Sequence, residues 1–484
     1  MATRPPARPG QRDLTTGPIG PALLAFSLPT LGSNVLQSLN GSINAIWIGR
    51  FLGQDAIAAT SNANMIMFLM FGAVFGFGMA ATILVGQSWG RRDVDAARRA
   101  IGSAIGLVLG ASLVVGVLGW VFAPEILAVL KTPGAAMPLA LTYLRVIFLG
   151  LPASMLLVLM SMGLRGTGDA VTPLLATGLS VVLDSGLNPV FILGLGPAPR
   201  MGIAGSAFAT LIANATALAF VVGWIAWRDL PIRLKGRELR YILPERALVR
   251  AIVGKGVPIG AQMIIISAAA LTMVGIVNRE GVATTAAYGI TQQVWAYVQM
   301  PALAIGAAVS AMAAQNIGAG KWDRVERITR AGLIYNVAMT GSLVVLVTVF
   351  DRPVLALFHL QPQALAIAQR IGLIATWGFV LFGAMMVLFG VVRANGAVLG
   401  PLLILFVAAF PVRLGVAFAL RPWLGVDALW WSFPASFAAN LLMGSLFYRY
   451  GGWRKGALYV PARPEPEEEA SAVVEPAGGL KPVH

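Results

Sequence analysis

Apolar residues run through this chain in long blocks separated by short polar connections. Blocks of roughly 20 residues are long enough to cross a bilayer as helices. Twelve are predicted, near 21–48, 57–85, 100–122, 138–161, 170–193, 202–227, 251–277, 283–313, 329–350, 365–391, 398–420 and 426–448. The first is preceded by MATRPPARPGQRD, which is polar and Pro-rich and lacks the apolar core and cleavage site of a signal peptide. The first block is therefore expected to act as an uncleaved insertion signal. After Arg449 the chain turns polar, and residues 450–484, with the acidic run Glu467–Glu469, read as a disordered tail.

The blocks repeat. GQSWG at 86–90 returns as AQNIG at 314–318, pairing Gln87 with Gln315 and Gly90 with Gly318. RGTGDAVTP at 165–173 returns as RANGAVLGP at 393–401, pairing Arg165 with Arg393 and Pro173 with Pro401. Both offsets are 228 residues, and SLP at 27–29 meets GVP at 256–258 at an offset of 229. The same order at nearly one offset predicts two six-span lobes, 21–227 and 251–449, after a tail at 1–20. Six is even, so the copies face the same way, related by a pseudo-two-fold along the membrane normal. The fold class expected is an all-α integral membrane protein. Residues 228–250, basic and twice interrupted by proline, read as a linker with a short surface helix.

Composition agrees with the pattern: 57% of the 484 residues are hydrophobic and 11% charged, and the mean hydropathy is +0.79. Soluble domains carry about 25% charged residues. The net charge of +15 sits mostly in the tails and even-numbered connections, which is a topology signal rather than a nucleic-acid footprint. It predicts a multi-pass protein of a bacterial or archaeal inner membrane, with both termini cytoplasmic and no nucleic-acid partner. With no cysteine and only His359 and His484, no Cys/His metal centre or disulfide can form, and no enzymatic activity or cofactor is expected. His359, after a span end, reads as an interfacial side chain.

Against this background one carboxylate stands out. Asp184 lies well inside GLSVVLDSGLNPVFILG, residues 178–194, whereas Asp55, Asp351 and Glu280 fall in connections and Asp427 near a span end. An ionisable group inside a bilayer is costly and is a functional-site hypothesis by default. Ser180, Asp184 and Asn188 recur every fourth residue, on one face of a helix, with Pro189 following. Ser206, Thr210 and Asn214 repeat the spacing on the sixth span, and Ser33, Gln37, Asn40 and Asn44 share a face of the first. These stripes predict a wet cavity between spans one, five and six; helix–helix hydrogen bonds, or an ion pair of Asp184 with Arg413 or Arg145, are the structural alternatives. Burial disfavours the charged form of a carboxylate, which suits Asp184 to loading and releasing a proton. Neighbouring oxygens would alternatively complete a shell for sodium. In the second lobe Gln262 and Gln292 supply neutral polar groups, and Arg413 falls at an offset of 228 from Ser185. Met67, with Met65, Met385 and Met386, would give an adaptable apolar lining.

With the repeat and motifs in view, the chain resembles the multidrug and toxic compound extrusion (MATE) family, most nearly its prokaryotic damage-inducible branch. The resemblance covers roughly residues 20–450 and rests on GQSWG, AQNIGAG, RGTGDAVTP, WIGRFLG at 47–53 and the twelve-span plan. It implies a V-shaped cavity between lobes and export of amphipathic, often cationic compounds driven by proton or sodium entry. The match departs at three places. Asn44 stands in NAIWIG where many members carry Asp, Asp184 and Asn188 reverse the branch's Asn-then-Asp order, and Ile266 stands where one branch has Glu.

The expected function is a cation-coupled antiporter, driven by protons in preference to sodium and acting as a monomer. Asp184, Asn188, Ser180 and Asn44 are the expected ion-binding residues. Gln37, Asn40, Met67, Thr210, Asn214, Gln262, Gln292 and Arg413 are the expected substrate-binding residues. The rivals are a flippase or exporter of a lipid-linked or other amphipathic metabolite, which would want more cavity cations than Arg413, and a non-transporting scaffold or receptor.

Overall fold

The computed structural model describes residues 13–455 apart from 130–133, 135, 197–198, 357 and 359–360, and omits the side chains of 54–55, 58, 61–62, 65, 68–69 and 73. The readings of residues 1–12 and 456–484, of His359 and of the Met65 side chain lie outside this set.

Among the described residues the helices group, in the predicted order, into twelve segments, some of them broken. In the first lobe they are α1 (Ile19–Leu52), α2 (Gln54–Gly90), α3 (Val94–Val121), α4 (Met137–Gly166), α5 (Val171–Leu193) and α6 (Ile203–Arg228). In the second they are α7 (Arg246–Val277), α8 (Val282–Val298 and Met300–Gly318), α9 (Trp322–Val349), α10 (Pro362–Ala375 and Gly378–Ala394), α11 (Leu399–Val407 continuing to Arg413–Leu424) and α12 (Asp427–Tyr450). Among the described residues ten helices are long and apolar enough to span a membrane, and the α10 pair, bent by 44°, makes eleven. The remaining one, α12, has the length at 24 residues, but Trp430, Trp431, Ser432, Ser436 and Asn440 lower its hydropathy.

The second lobe is the more broken copy. Its α8 is interrupted at Gln299 just before Pro301, α10 bends at Thr376 and Trp377, and α11 passes through a π-helical turn, Ala408–Val412, that contains Pro411. Proline lacks the N–H that a regular helix needs, and π turns often sit at functional positions. A short helix follows α3 at Ala123–Val129 and another follows α9 at Asp351–Ala356, a feature of the repeat that apolar periodicity did not reveal. The linker forms the expected surface helix as a 3-10 turn, Gly236–Ile242, docked on α3 by Arg98 to Glu238 at 2.6 Å and by Tyr241 donating to Asp95 at 2.7 Å.

The lobes join at the face that carries Leu14 and Trp453, called here the terminal face. The Gln87 side chain donates to the Ala394 carbonyl at 2.6 Å, and Gln315 donates to the Gly166 carbonyl at 2.9 Å. Both glutamines are buried. Donors and acceptors alike are related by the 228-residue repeat, so the quoted motifs are two halves of one reciprocal seam. Gly90 lies against the backbone carbonyl of Gln315 and Gly318 against that of Gln87, and neither position has room for a Cβ. Leu14 adds a strap: its N–H donates to Gln315 Oε1 at 3.3 Å and its carbonyl accepts from Asn316 at 3.0 Å.

Helix α1 bridges the lobes. Leu23 and Phe26 pack among Ile305, Met312, Ile328 and Val391 of the second lobe, while the part beyond Pro29 runs along α5 of the first. Ser27, Thr30 and Ser33 donate to carbonyls one turn back on either side of that proline, so hydroxyls near the break are satisfied within the helix.

The seam predicts that Gly90→Ala or Gly318→Ala opens the terminal face. The chain has no cysteine, so a single Ala394→Cys reports alone. Its labelling by a water-soluble maleimide added at the terminal face should rise several-fold in either variant. Unchanged labelling would show that the backbone contact is not what closes this face.

Candidate functional site

Helix α5 starts from a buried carboxylate of another kind. Asp169 accepts the N–H groups of Val171 and Thr172 on one oxygen, at 3.0 and 2.9 Å, and the Thr172 hydroxyl on the other at 2.6 Å. Burial pushes the Asp169 carboxyl up from its ordinary value, and these three bonds pull against that shift. It fixes the helix start, so Asp184 emerges at a defined height four turns on.

Asp184 is buried, with 1% of its surface exposed, and both its oxygens are used. Oδ2 accepts from the Asn40 and Asn44 amides, each at 2.8 Å. Oδ1 accepts from Thr210 Oγ1 at 3.0 Å and from the Asn188 amide at 3.1 Å. Asn188 also donates to Asn44 Oδ1 at 3.0 Å and to the Asp184 carbonyl at 2.8 Å. Three helices, α1, α5 and α6, thus meet on one carboxylate through neutral groups. Among the described residues no Lys or Arg lies within ion-pair distance of it. Arg413 donates to Ser436 instead, and Arg145 lies over the Trp120 ring at 4.8 Å. Neutral donors occupy its oxygens in place of the ion pair considered from sequence.

The stripes face one another and close upon themselves rather than lining open space. Asn188 is fully buried, while Asn40 and Asn44 are half-buried. Two amide oxygens in this cluster, Asn40 Oδ1 and Asn188 Oδ1, are buried without a partner. Orphaned oxygens beside a carboxylate are the donor set that a proton-bearing partner or a monovalent cation would complete.

The other expected residues fall elsewhere. Ser180 does not touch the carboxylate; it donates to Asn214 at 2.8 Å, and Asn214 donates to Ser154 of α4 at 2.9 Å, a separate polar chain. Gln37 is exposed and Met67 packs on the first-lobe core. Met385 is buried, and the backbone and Cβ of Met386 lie against Gly306. Gln262 is buried and accepts from Arg393 at 3.5 Å, and Gln292 donates to the Tyr288 hydroxyl at 2.9 Å. Arg413 is partly exposed in the second lobe. The structure therefore assembles Asp184, Asn188, Asn44, Asn40 and Thr210, and leaves the rest outside that cluster.

Two features escaped the sequence reading. Asn40 was grouped with substrate contacts, although its four-residue spacing from Asn44 places both amides on one face, able to reach one carboxylate oxygen. The buried Arg393 was quoted only as part of a motif.

Comparison with known proteins places the family and the fold. The MatE family profile matches residues 29–190 and again 258–419, once per lobe. A probable multidrug resistance protein of Bacillus subtilis strain 168, YoeA, is 34% identical over 432 residues, covering 89% of this chain and 93% of that protein. A protein of Shewanella oneidensis named as an FAD transporter is 27% identical over 365 residues, covering 73% of this chain and 77% of that one. The fold matches a solved MATE multidrug resistance transporter, described as outward-facing, with a TM-score of 0.85 and 20% identity over 93% of this chain and 99% of that one.

Removing one donor while keeping shape should show how the carboxylate is held. Thr210→Val leaves Oδ1 with a single partner and should lower stability by about 1–3 kcal/mol, the cost of an unmet bond to a charged group. Gln37→Ala, which removes no bond, should stay within about 0.5 kcal/mol. Melting of the purified protein in detergent measures both, and equal effects would count against the network.

Proposed function

The chain belongs to the MatE family of multidrug efflux transporters, and on that premise we propose that it is a cation-coupled antiporter whose coupling carboxylate is Asp184. The observation that carries this reading is a buried carboxylate held by four neutral donors from three helices and, among the described residues, by no cation.

Such a group has two states with different demands. Ionised, it accepts all four bonds. Protonated, one oxygen becomes a donor, and an amide N–H that pointed at it must turn away. Asn40 and Asn44 both bond Oδ2 and both belong to α1, so a proton on that oxygen loosens α1 from α5. The other end of α1 packs in the second lobe. Charge on Asp184 thereby favours one arrangement of the lobes over the other, and a ligand shifts such an equilibrium only through differential affinity. A substrate that favours the ionised state and a proton that removes it compete, which is exchange.

Protons are the proposed coupling ion. Sodium is the alternative, with Asp184, Asn40 and Asn188 as the oxygens that would hold it. The positive-inside pattern supports cytoplasmic termini in the inner membrane, and on that orientation the closed terminal face is the cytoplasmic one. The substrates on this reading are amphipathic and often cationic, handled by a monomer.

A second reading, export of an amphipathic metabolite, is favoured by the buried Arg393 and the partly exposed Arg413, more interior cations than the sequence alone suggested. The Shewanella relative carries a name of that type. It gives Asp184 no task, and so ranks second.

Uptake of ethidium into inside-out vesicles separates the readings. An imposed proton gradient should drive uptake by the wild type, and Asp184→Asn should lose at least about tenfold, the scale of removing an interaction worth 1.4 kcal/mol or more. Uptake driven only by a sodium gradient would keep the antiporter and change the ion. Normal uptake by Asp184→Asn would refute the coupling role, and no uptake of ethidium or other organic cations would transfer the case to metabolites.

A further inference from the structure

The end of the second lobe away from the terminal face carries a cavity that the Asp184 cluster does not use. Helix α9 starts beside Trp453, whose ring lies 6.1 Å from that of Trp322, and it ends at Val349, where the short helix Asp351–Ala356 turns the chain towards α10. The first half of α10 is set off from the rest by the 44° bend, and a crevice of about 580 Å³ lies between it, α8 and the end of α9. At its buried end are Trp295 and Thr376, joined to each other by the indole N–H, and its walls include Val294, Val347, Leu355 and Leu373. Leu373 is mostly exposed, as are Leu346 and Val349 next to the lining residues of α9, so the crevice opens on an apolar flank of the bundle. Protein interiors are packed as densely as organic crystals. A gap of this size bordering lipid is filled by what lipid supplies, an acyl chain, because its lining otherwise forfeits contact on one side.

The polar end of the crevice specifies the headgroup. Asp351 accepts the Arg352 N–H on one oxygen at 2.6 Å and the Gln369 amide on the other at 2.9 Å, and among the described residues no Lys or Arg lies within ion-pair distance of it. The Arg352 side chain is exposed and has no partner among the described residues. Arg370, which also lines the crevice, is already neutralised by Asp427. One negative and one positive group thus remain, on successive residues. A guanidinium matches phosphate oxygens, and a carboxylate is completed by charged N–H donors. A purely anionic headgroup would meet Asp351 with like charge, and a quaternary ammonium has no N–H to give it. The complement is a headgroup that carries both a phosphate and a primary ammonium.

We infer that the crevice is a binding site for one phosphatidylethanolamine molecule, with an acyl chain between α9 and α10, the phosphate on Arg352 and the ammonium on Asp351. This goes beyond the transport reading and does not rest on it, since neither Asp184 nor the seam between lobes takes part.

Native mass spectrometry of the full chain, delipidated in detergent, counts bound lipid directly. Dioleoyl lipids with ethanolamine, choline and glycerol headgroups are titrated separately, so that the chains are identical and only the headgroup differs. Wild type should bind its first ethanolamine lipid about tenfold more tightly than either of the others, the scale of one charge-assisted contact. Asp351→Asn should bring the ethanolamine and choline lipids level, and Arg352→Gln should weaken the ethanolamine lipid by about tenfold. A Cβ at Gly372 meets nothing closer than Thr376 Oγ1 at 3.9 Å, so Gly372→Leu fills the crevice without moving the backbone and should remove the tight site for all three lipids. Should Asp351→Asn fail to fold, Gly372→Leu decides alone. Equal affinity for the three lipids in the wild type, a preference for the glycerol lipid, or an ethanolamine preference that survives in Asp351→Asn or in Gly372→Leu overturns the proposal.

Discussion

A carboxylate out of water, with no cation beside it among the described residues, must be held by dipoles, and that constraint organises the first lobe. The effective penalty for burying one ion is several kcal/mol. Charge-assisted hydrogen bonds contribute about 1.5–3 kcal/mol each, so four of them are of the size needed to offset that penalty. A lysine or arginine in their place would hold the charge more tightly, but it would also lock it. Neutral amides and a hydroxyl from three helices surround it instead, and on the proposed reading a proton on Oδ2 displaces an amide of α1, so the charge state acts on how α1 and α5 pack. Because α1 continues past Pro29 into the second lobe, the proposed coupling would carry the same charge to the seam between lobes.

The two lobes share a backbone plan and differ in chemistry. At the terminal face the repeat is kept almost atom for atom: Gln87 and Gln315 each cross to a backbone carbonyl of the opposite lobe, and Gly90 and Gly318 each let the chains approach. Closing that face needs the same short contact twice, so symmetry there is a packing requirement. Deeper in, the copies diverge. The fifth span of the first lobe is a continuous helix with an acid, while its counterpart carries a π turn and an arginine. The repeat is thus kept where the lobes meet, and the two copies carry charges of opposite sign deeper in.

Much of this was legible in the sequence. Twelve apolar blocks and a fixed offset gave the lobes, because lipid forces each crossing to be a helix of set length. Asp184, Asn188, Asn44 and Thr210 were visible as polar residues at helical spacing in apolar surroundings. What was not legible depends on pairing across the fold. Spacing placed Gln37 beside Asn40 on one helix face, yet only Asn40 reaches the carboxylate, because α5 passes the outer part of α1. Ser180 lies on the Asp184 stripe but one turn towards α4, where Asn214 and Ser154 claim it. The seam glycines read as ordinary repeat residues until the opposite carbonyl is seen against them. The bend of α10 at Thr376 has no proline to announce it; Trp295 of α8 donates to the Thr376 hydroxyl at 2.9 Å, a tertiary contact that no local pattern encodes.

The central claim is that Asp184 gives up a proton when substrate binds, and the most direct measurement counts that proton. Tetraphenylphosphonium is added to purified protein in weakly buffered detergent solution carrying a pH indicator, near the midpoint of the protein's own titration. The account predicts proton release in proportion to bound cation, approaching one per site, with none from Asp184→Asn although that variant remains folded. Equal release from both proteins would place the exchanged proton elsewhere and contradict the account.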